Sequence, residues 1–132
     1  MQNKLEVTFA GDHIRVVSDG DKDFARSVKL WNQVADLSNQ HDCFDVLGVA
    51  NTRSPLEAIE GYNQGRLLSD LGIDDRYRIA WVELDNDARD MAAFIGSVLA
   101  NRGLRGQLFD TVEEAESWLL RKDDTAPFRV VK

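Results

Sequence analysis

His41-Asp42-Cys43 is the one run of potential metal ligands or nucleophiles in the chain, and the second histidine, His13, stands well apart from it in sequence. A structural zinc site wants four ligands, usually as two spaced pairs, so no metal is expected. Cys43 as a nucleophile needs a base at hand and a setting that stabilises the thiolate. His41 is near in sequence, but neighbours in an extended segment diverge, so the run reads as a loop that leaves a helix and enters a strand. Carboxylates are plentiful, yet Asp21, Asp23, Asp85, Asp87, Asp110 and Glu113 fall where helices begin. Negative charge interacts well with the dipole there, and no pair is assigned to acid/base catalysis. Trp31, Trp81 and Trp118 fall at inward-facing positions and read as core rather than as a ligand platform.

Phosphate chemistry is no better supported. There is no G-x-G-x-x-G after the first strand-like run and no G-x-x-x-x-G-K-S/T anywhere, the loops whose backbone amides cradle phosphates. Gly103-Leu104-Arg105-Gly106 lies between a helix and a strand, the wrong side for a dinucleotide turn. A response-regulator layout needs an aspartate where Asn51 closes the run Phe44–Ala50, and a lysine after Gln107–Phe109; neither is present. No catalytic constellation emerges, and no cofactor is expected.

The stretch VANTRSPLEAIEGY, Val49 to Tyr62, remains. An apolar run ends, polar residues intervene, and Ser54 stands directly before Pro55 with Glu57 three residues on. This pattern predicts a helix start with Ser54 at the N-cap, proline at the first helical position and a capping box closed by Glu57. On that reading, Ser54→Ala costs roughly 0.5–2 kcal/mol. Asn51, Thr52, Arg53 and Ser54 form the candidate interaction or phosphoacceptor loop.

The elements that must position this loop are legible from periodicity. Leu5, Val7 and Phe9 alternate with polar residues, Gly11-Asp12 offers turn chemistry, and Ile14, Val16 and Val17 continue, which predicts an N-terminal hairpin. Ser18 to Asp21 reads as a loop. A helix is predicted over about 22–39, with Phe24, Val28, Trp31 and Ala35 as its stripe, broadened by Leu30, Val34 and Leu37. Phe44 to Ala50 is a short apolar run and reads as a buried strand. The helix opened by Ser54 turns Leu56, Ile59, Leu67, Leu68 and Leu71 inward, and Gly72 ends it. Gly61 and Gly65 within it mark close packing or a bend. Arg78 to Leu84 is the next strand. Asp85 to Asp87 caps a third helix with Met91, Phe94, Ile95, Val98 and Leu99 inward and Gly103 as its stop. A short strand follows at Gln107 to Phe109. The capping box Thr111–Glu114 then opens a last helix with Ala115, Trp118 and Leu119 inward. The tail 122–132 ends in PFRVV and is read as either a loose end or an added edge strand.

The order β-β-α-β-α-β-α-β-α predicts a single α/β domain over 1–132, core about 4–121, with right-handed crossovers and a mixed, mostly parallel sheet. At 132 residues, with 43% hydrophobic and 30% charged residues, the chain can bury a core and is not of disordered composition. A formal net charge of −7 repels phosphate backbones and anionic lipid, so neither nucleic acid nor a membrane surface is the expected partner. No apolar run approaches the length of a membrane span, and MQNKLEVTF does not read as a signal peptide. The single cysteine fits a reducing compartment, and a cytoplasmic location is expected. The apolar residues Phe128, Val130 and Val131 of the tail suggest a homodimer paired along a sheet edge.

The hairpin, the first helix, and then a strand ending in a serine-bearing loop at a helix start resemble the STAS family, the SpoIIAA-like anti-sigma-factor antagonist domains. The resemblance covers about Lys4 to Arg121 and rests on topology and spacing. It implies a non-enzymatic regulatory or protein-interaction module. In signalling members a serine or threonine at the start of the second major helix is phosphorylated by a partner kinase. The family's Asp-Ser/Thr-Ser/Thr-Gly signature is replaced here by Asn51-Thr52-Arg53-Ser54-Pro55, with Thr52 or Ser54 in the acceptor's place. The same broad fold occurs in lipid-binding domains, and the alternative it implies is a carrier of a small apolar ligand. Gly61, Gly65 and Gly96 would leave room for that ligand between the sheet and the second and third helices.

Overall fold

The computed structural model of the chain describes residues 4–20, 23–52, 57–121 and 129–130. The strands are β1 (Lys4–Phe9), β2 (Ile14–Gly20), β3 (Asp45–Thr52), β4 (Arg78–Glu83), β5 (Arg105–Phe109) and β6 (Arg129–Val130). The helices are α1 (Phe24–His41), α2 (Ala58–Asp70), α3 (Asn86–Asn101) and α4 (Val112–Leu120). The strands form one sheet in the order β1-β2-β3-β4-β5-β6. β1 runs antiparallel to β2, and every later pair is parallel. The result is the expected mixed α/β domain.

Side-chain alternation explains the layers. Along β3 and β4, Val46, Ile79 and Trp81 pack with Trp31, Val34 and Leu99 on one face. Leu47, Val49, Ala80 and Val82 pack with Ala115, Trp118 and Leu119 on the other. Both faces of the central strands are therefore dry, which is why FDVLGVA and RIAWV read as continuous apolar runs. Helices α1, α2 and α3 cover the first face, as crossovers of one hand advancing steadily across a sheet must. α4 covers the second face alone. Burying Trp118 and Leu119 there contributes on the order of 1.5–3 kcal/mol each. Thr111 caps α4 as expected, its Oγ1 accepting from the Glu114 amide at 3.2 Å.

Several boundaries differ from expectation. Ser18 to Gly20, read as loop, are the end of β2 and pair with Ala50, Asn51 and Thr52. Helix α1 accordingly begins later, with the Asp23 carboxylate accepting from the Arg26 amide at 2.7 Å, and it runs on to His41. Helix α2 does not open at Ser54. Its N-cap is Glu57, whose amide donates to Glu60 Oε1 at 3.1 Å, and its ladder begins with the Gly61 amide on the Glu57 carbonyl. Ser54 and Pro55, on which the expected box rests, lie outside the described residues, and β3 runs on to Thr52 instead of ending at Ala50.

Ile59, expected inward, is 64% exposed. The buried stripe of α2 is Gly61, Gln64, Gly65 and Leu68, and Ile59 lies two residues from Gly61, about 200° around the helix. That stripe exists because α3 comes very close. A β-carbon on Gly61 would stand 2.7 Å from Met91 Sδ, and one on Gly65 would stand 2.8 Å from Val98 Cγ1. Close packing, not empty space, is what these two glycines serve. Phe94, also expected inward, covers Gly61 with its ring and keeps its other face in solvent. Gly72 and Gly103 take φ of 78° and 81°, the left-handed conformation expected of residues past a helix end.

The tail resolves one alternative. Arg129 and Val130 pair in parallel with Gln107 and Leu108 of the same chain, so this part is an added edge strand. Phe128 and Val131 lie outside the described residues.

Candidate functional site

Parallel strands deliver their C-terminal ends, and the connections that follow them, to one end of the sheet, where α/β proteins hold their ligands. Asn51 and Thr52 of the candidate loop are the last residues of β3 at that end. Asn51 is exposed, Thr52 is 0% exposed, and Arg53 and Ser54 lie outside the described residues.

Thr52 is held by a residue that sequence reasoning passed over. Glu83 ends β4 with its carboxylate almost wholly buried. It accepts the Thr52 hydroxyl on Oε1 at 2.7 Å, and the Thr52 and Asp85 amides on Oε2 at 3.2 and 3.3 Å. A buried carboxylate is tolerable only when donors replace its water, and here the ends of two strands supply them. Asp85 then caps α3 by accepting the Asp87 amide at 2.8 Å. The Thr52 hydroxyl is thus already spent as a donor and closed to solvent, and a phosphate could reach it only after the end of β3 opens. The sequence signal was present: an acid terminating the apolar run RIAWVE.

Between β4 and β5 the connections leave for opposite faces of the sheet, one to α3 and the other to α4. The crevice this creates is filled by Arg89. Its Nη1 donates to the carbonyls of Glu83 and Phe109 at 3.4 and 3.3 Å, and its Nη2 pairs with Asp110 at 2.8 Å. A crevice plugged by an ion-paired guanidinium is part of the frame.

Beside the candidate loop, α2 and α3 present apolar side chains to solvent. Ile59 and Tyr62 are exposed on α2, and the Phe94 ring rests against Gly61 between them in sequence. Leu84, also exposed, follows β4 at the same end of the sheet. Glu57, Asp87 and Asp90 border these segments and are exposed.

Beneath the helices lies a cavity of about 50 Å³ between the sheet and α1, α2 and α3. Trp31, Ile79, Ile95 and Leu99 give it an apolar wall, while Ser18, Ser27 and Gln64 are polar residues lining it. Arg26 also borders it, with its guanidinium Nη2 donating to the carbonyls of Lys4 and Asp19. Gln64 is 3% exposed and its Nε2 has no hydrogen-bond partner among the described residues.

The other candidates sit at the opposite end of the sheet, where Cys43 and His13 both meet Asp12. The His41 ring stacks on Phe9 at 3.9 Å between centroids, and the Cys43 thiol donates to the Asp12 carbonyl at 3.6 Å. His13 Nδ1 meets Asp12 Oδ1 at 2.6 Å. Among the described residues no group of three or more histidines, cysteines and carboxylates could hold a metal ion, and no helix is long and apolar enough to cross a membrane. Nearby, burial pushes the Tyr77 phenol up, an effect that Ser38 and the Arg76 charge only partly offset.

No protein-family model matches the chain, and no characterised protein matches it in sequence.

Proposed function

We propose that this chain is a non-enzymatic regulatory module of STAS-like layout that works by binding another protein. The observation that carries the reading is the exposed Tyr62 of α2 and the exposed Phe94 of α3, whose ring packs on Gly61, the residue before Tyr62. Single exposed apolar residues are ordinary, but neighbouring ones across a helix pair mark interaction surfaces. Ser54 stands shortly before α2 in the sequence, and a phosphate on it would add charge close to the start of that helix. In this reading Ser54 is the modifiable residue and Thr52 belongs to the frame. The test is crosslinking in native lysate from a photoreactive residue at position 62, with Phe94→Ser as the comparison background. A discrete partner lost in that background is expected. The same proteins captured at equal yield in both would sink the reading.

A further inference from the structure

We propose that the chain forms a two-fold dimer in which β1 pairs antiparallel with β1 of a second copy. Such a dimer is independent of the protein-binding reading, which uses α2 and α3. Among the described residues β1 has a neighbouring strand on one side only, β2. An open edge presents a row of unpaired peptide groups, and proteins usually blunt it with a bulge, a proline or a covering segment. The six residues of β1, KLEVTF, contain no proline and pair with β2 in unbroken register. Its charged residues, Lys4 and Glu6, pair with each other at 3.6 Å. The other edge of the sheet is taken at Gln107 and Leu108 by β6 of the same chain.

The phase of the β1–β2 ladder fixes which peptide groups face outward. The Ala10 amide donates to the His13 carbonyl at 2.9 Å, and hydrogen-bonded pairs alternate along an antiparallel ladder. Thr8, Glu6 and Lys4 therefore bond inward to their partners Arg15, Val17 and Asp19. Leu5, Val7 and Phe9 turn their N–H and C=O groups to the open edge. The same three residues carry the apolar side chains of β1, which pack on the core and stay only half-buried. An occupant of this edge needs outward peptide groups at alternate residues, with apolar side chains on those residues. A second β1 supplies both. Register follows from face and charge. A two-fold axis normal to the sheet keeps each face on its own side, so only residues from the same face stand opposite one another. With the axis at Val7, that residue meets Val7 of the second copy, and Leu5 and Phe9 meet each other's counterparts. All the outward-facing residues are then paired, through about six hydrogen bonds, and Glu6 stands opposite Thr8. Moving the axis to Glu6 sets two glutamates directly against each other, which is destabilising. Moving it to Thr8 sets Leu5 against Gly11, in the turn that follows β1.

The experiment combines light scattering of the full chain over a concentration series with amide hydrogen exchange read residue by residue by NMR. A mass rising to twice that of one chain is expected. The Leu5, Val7 and Phe9 amides should slow by about tenfold or more as the dimer forms, and those of Glu6 and Thr8, already bonded to β2, by less. Val7→Pro removes one outward N–H and none of the bonds to β2, as an edge strand tolerates, and should give a folded monomer. Three results each overturn the proposal: the mass of one chain at every concentration, a dimer whose Leu5, Val7 and Phe9 amides exchange as fast as in the dilute chain, or a folded Val7→Pro chain that is still dimeric. The exchange measurement uses the unmodified chain and does not depend on the variant folding.

Discussion

Replacing Thr52 by valine keeps the branched shape of the side chain and deletes one hydrogen-bond donor. In the folded protein that donor is the shortest of the contacts to the buried Glu83 carboxylate, 2.7 Å against 3.2 and 3.3 Å for the two amides. A hydrogen bond to a charged acceptor is worth about 1.5–3 kcal/mol, and an acceptor left short of donors adds its own desolvation cost. Both amides remain in Thr52→Val, so the loss should fall near 2 kcal/mol. Urea unfolding followed by tryptophan fluorescence reads this as a lower midpoint with an unchanged slope. Combining Thr52→Val with Glu83→Gln should show a coupling of about 1 kcal/mol or more, because the two side chains share the bond. A loss under about 0.5 kcal/mol, or additive effects, would refute the assignment of Thr52 to the frame and reopen it as an acceptor. Phosphate mapping of the folded protein should find Thr52 unmodified under conditions that modify exposed serines.

Arg78→Met should cost about 3–5 kcal/mol by denaturant unfolding, since the buried guanidinium donates to the carbonyls of Leu119, Trp118 and Arg121 at 2.9, 3.1 and 2.7 Å and lies 4.3 Å over the Trp118 ring. Gly48→Ala should cost about 1–3 kcal/mol, because the new carbon would stand 2.1 Å from the Trp81 ring, and a smaller Trp81→Leu should restore part of it. Ser54→Ala should change stability by less than about 0.5 kcal/mol, because Glu57 and not Ser54 caps α2; a loss of a full cap's worth would return the helix start to Ser54. Burial raises the Tyr77 phenol above its usual 10.0, so the stability it contributes is complete below that value and lost as pH rises through the folded one. Unfolding measured across that alkaline range should therefore fall less steeply in Tyr77→Phe than in the parent.

Elements whose identity depends on local periodicity were legible in the sequence. The hairpin, the buried strands and the Thr111–Glu114 cap are present as the pattern indicated, though β2, β3 and β5 are longer, because alternation and capping chemistry act over a few residues. The face of α2 was not legible. Its pattern offers Ile59 as an inward residue, but the helix instead turns glycines toward α3, and glycine carries no hydrophobic signal. The start of α2 failed for a related reason. Two overlapping boxes, Ser54–Glu57 and Glu57–Glu60, are locally equivalent, so local sequence does not choose between them. The end of β3 is itself tied to Glu83, thirty-one residues away from Thr52, and no window of local sequence contains both. The unpartnered Gln64 was invisible for the same reason, since its burial depends on three helices meeting over one cavity.

Glu83 joins what the candidate site would otherwise keep separate. One oxygen takes the Thr52 hydroxyl and the other takes the amides of Thr52 and Asp85, so the end of β3 and the start of α3 share a single buried charge. Asp85 in turn caps α3, and α3 carries Phe94 and closes over Gly61 and Gly65 of α2. In the proposed function, a load applied at the end of β3, by a bound protein or a phosphate on Ser54, would meet Thr52 first and, through Glu83, the N-cap of α3.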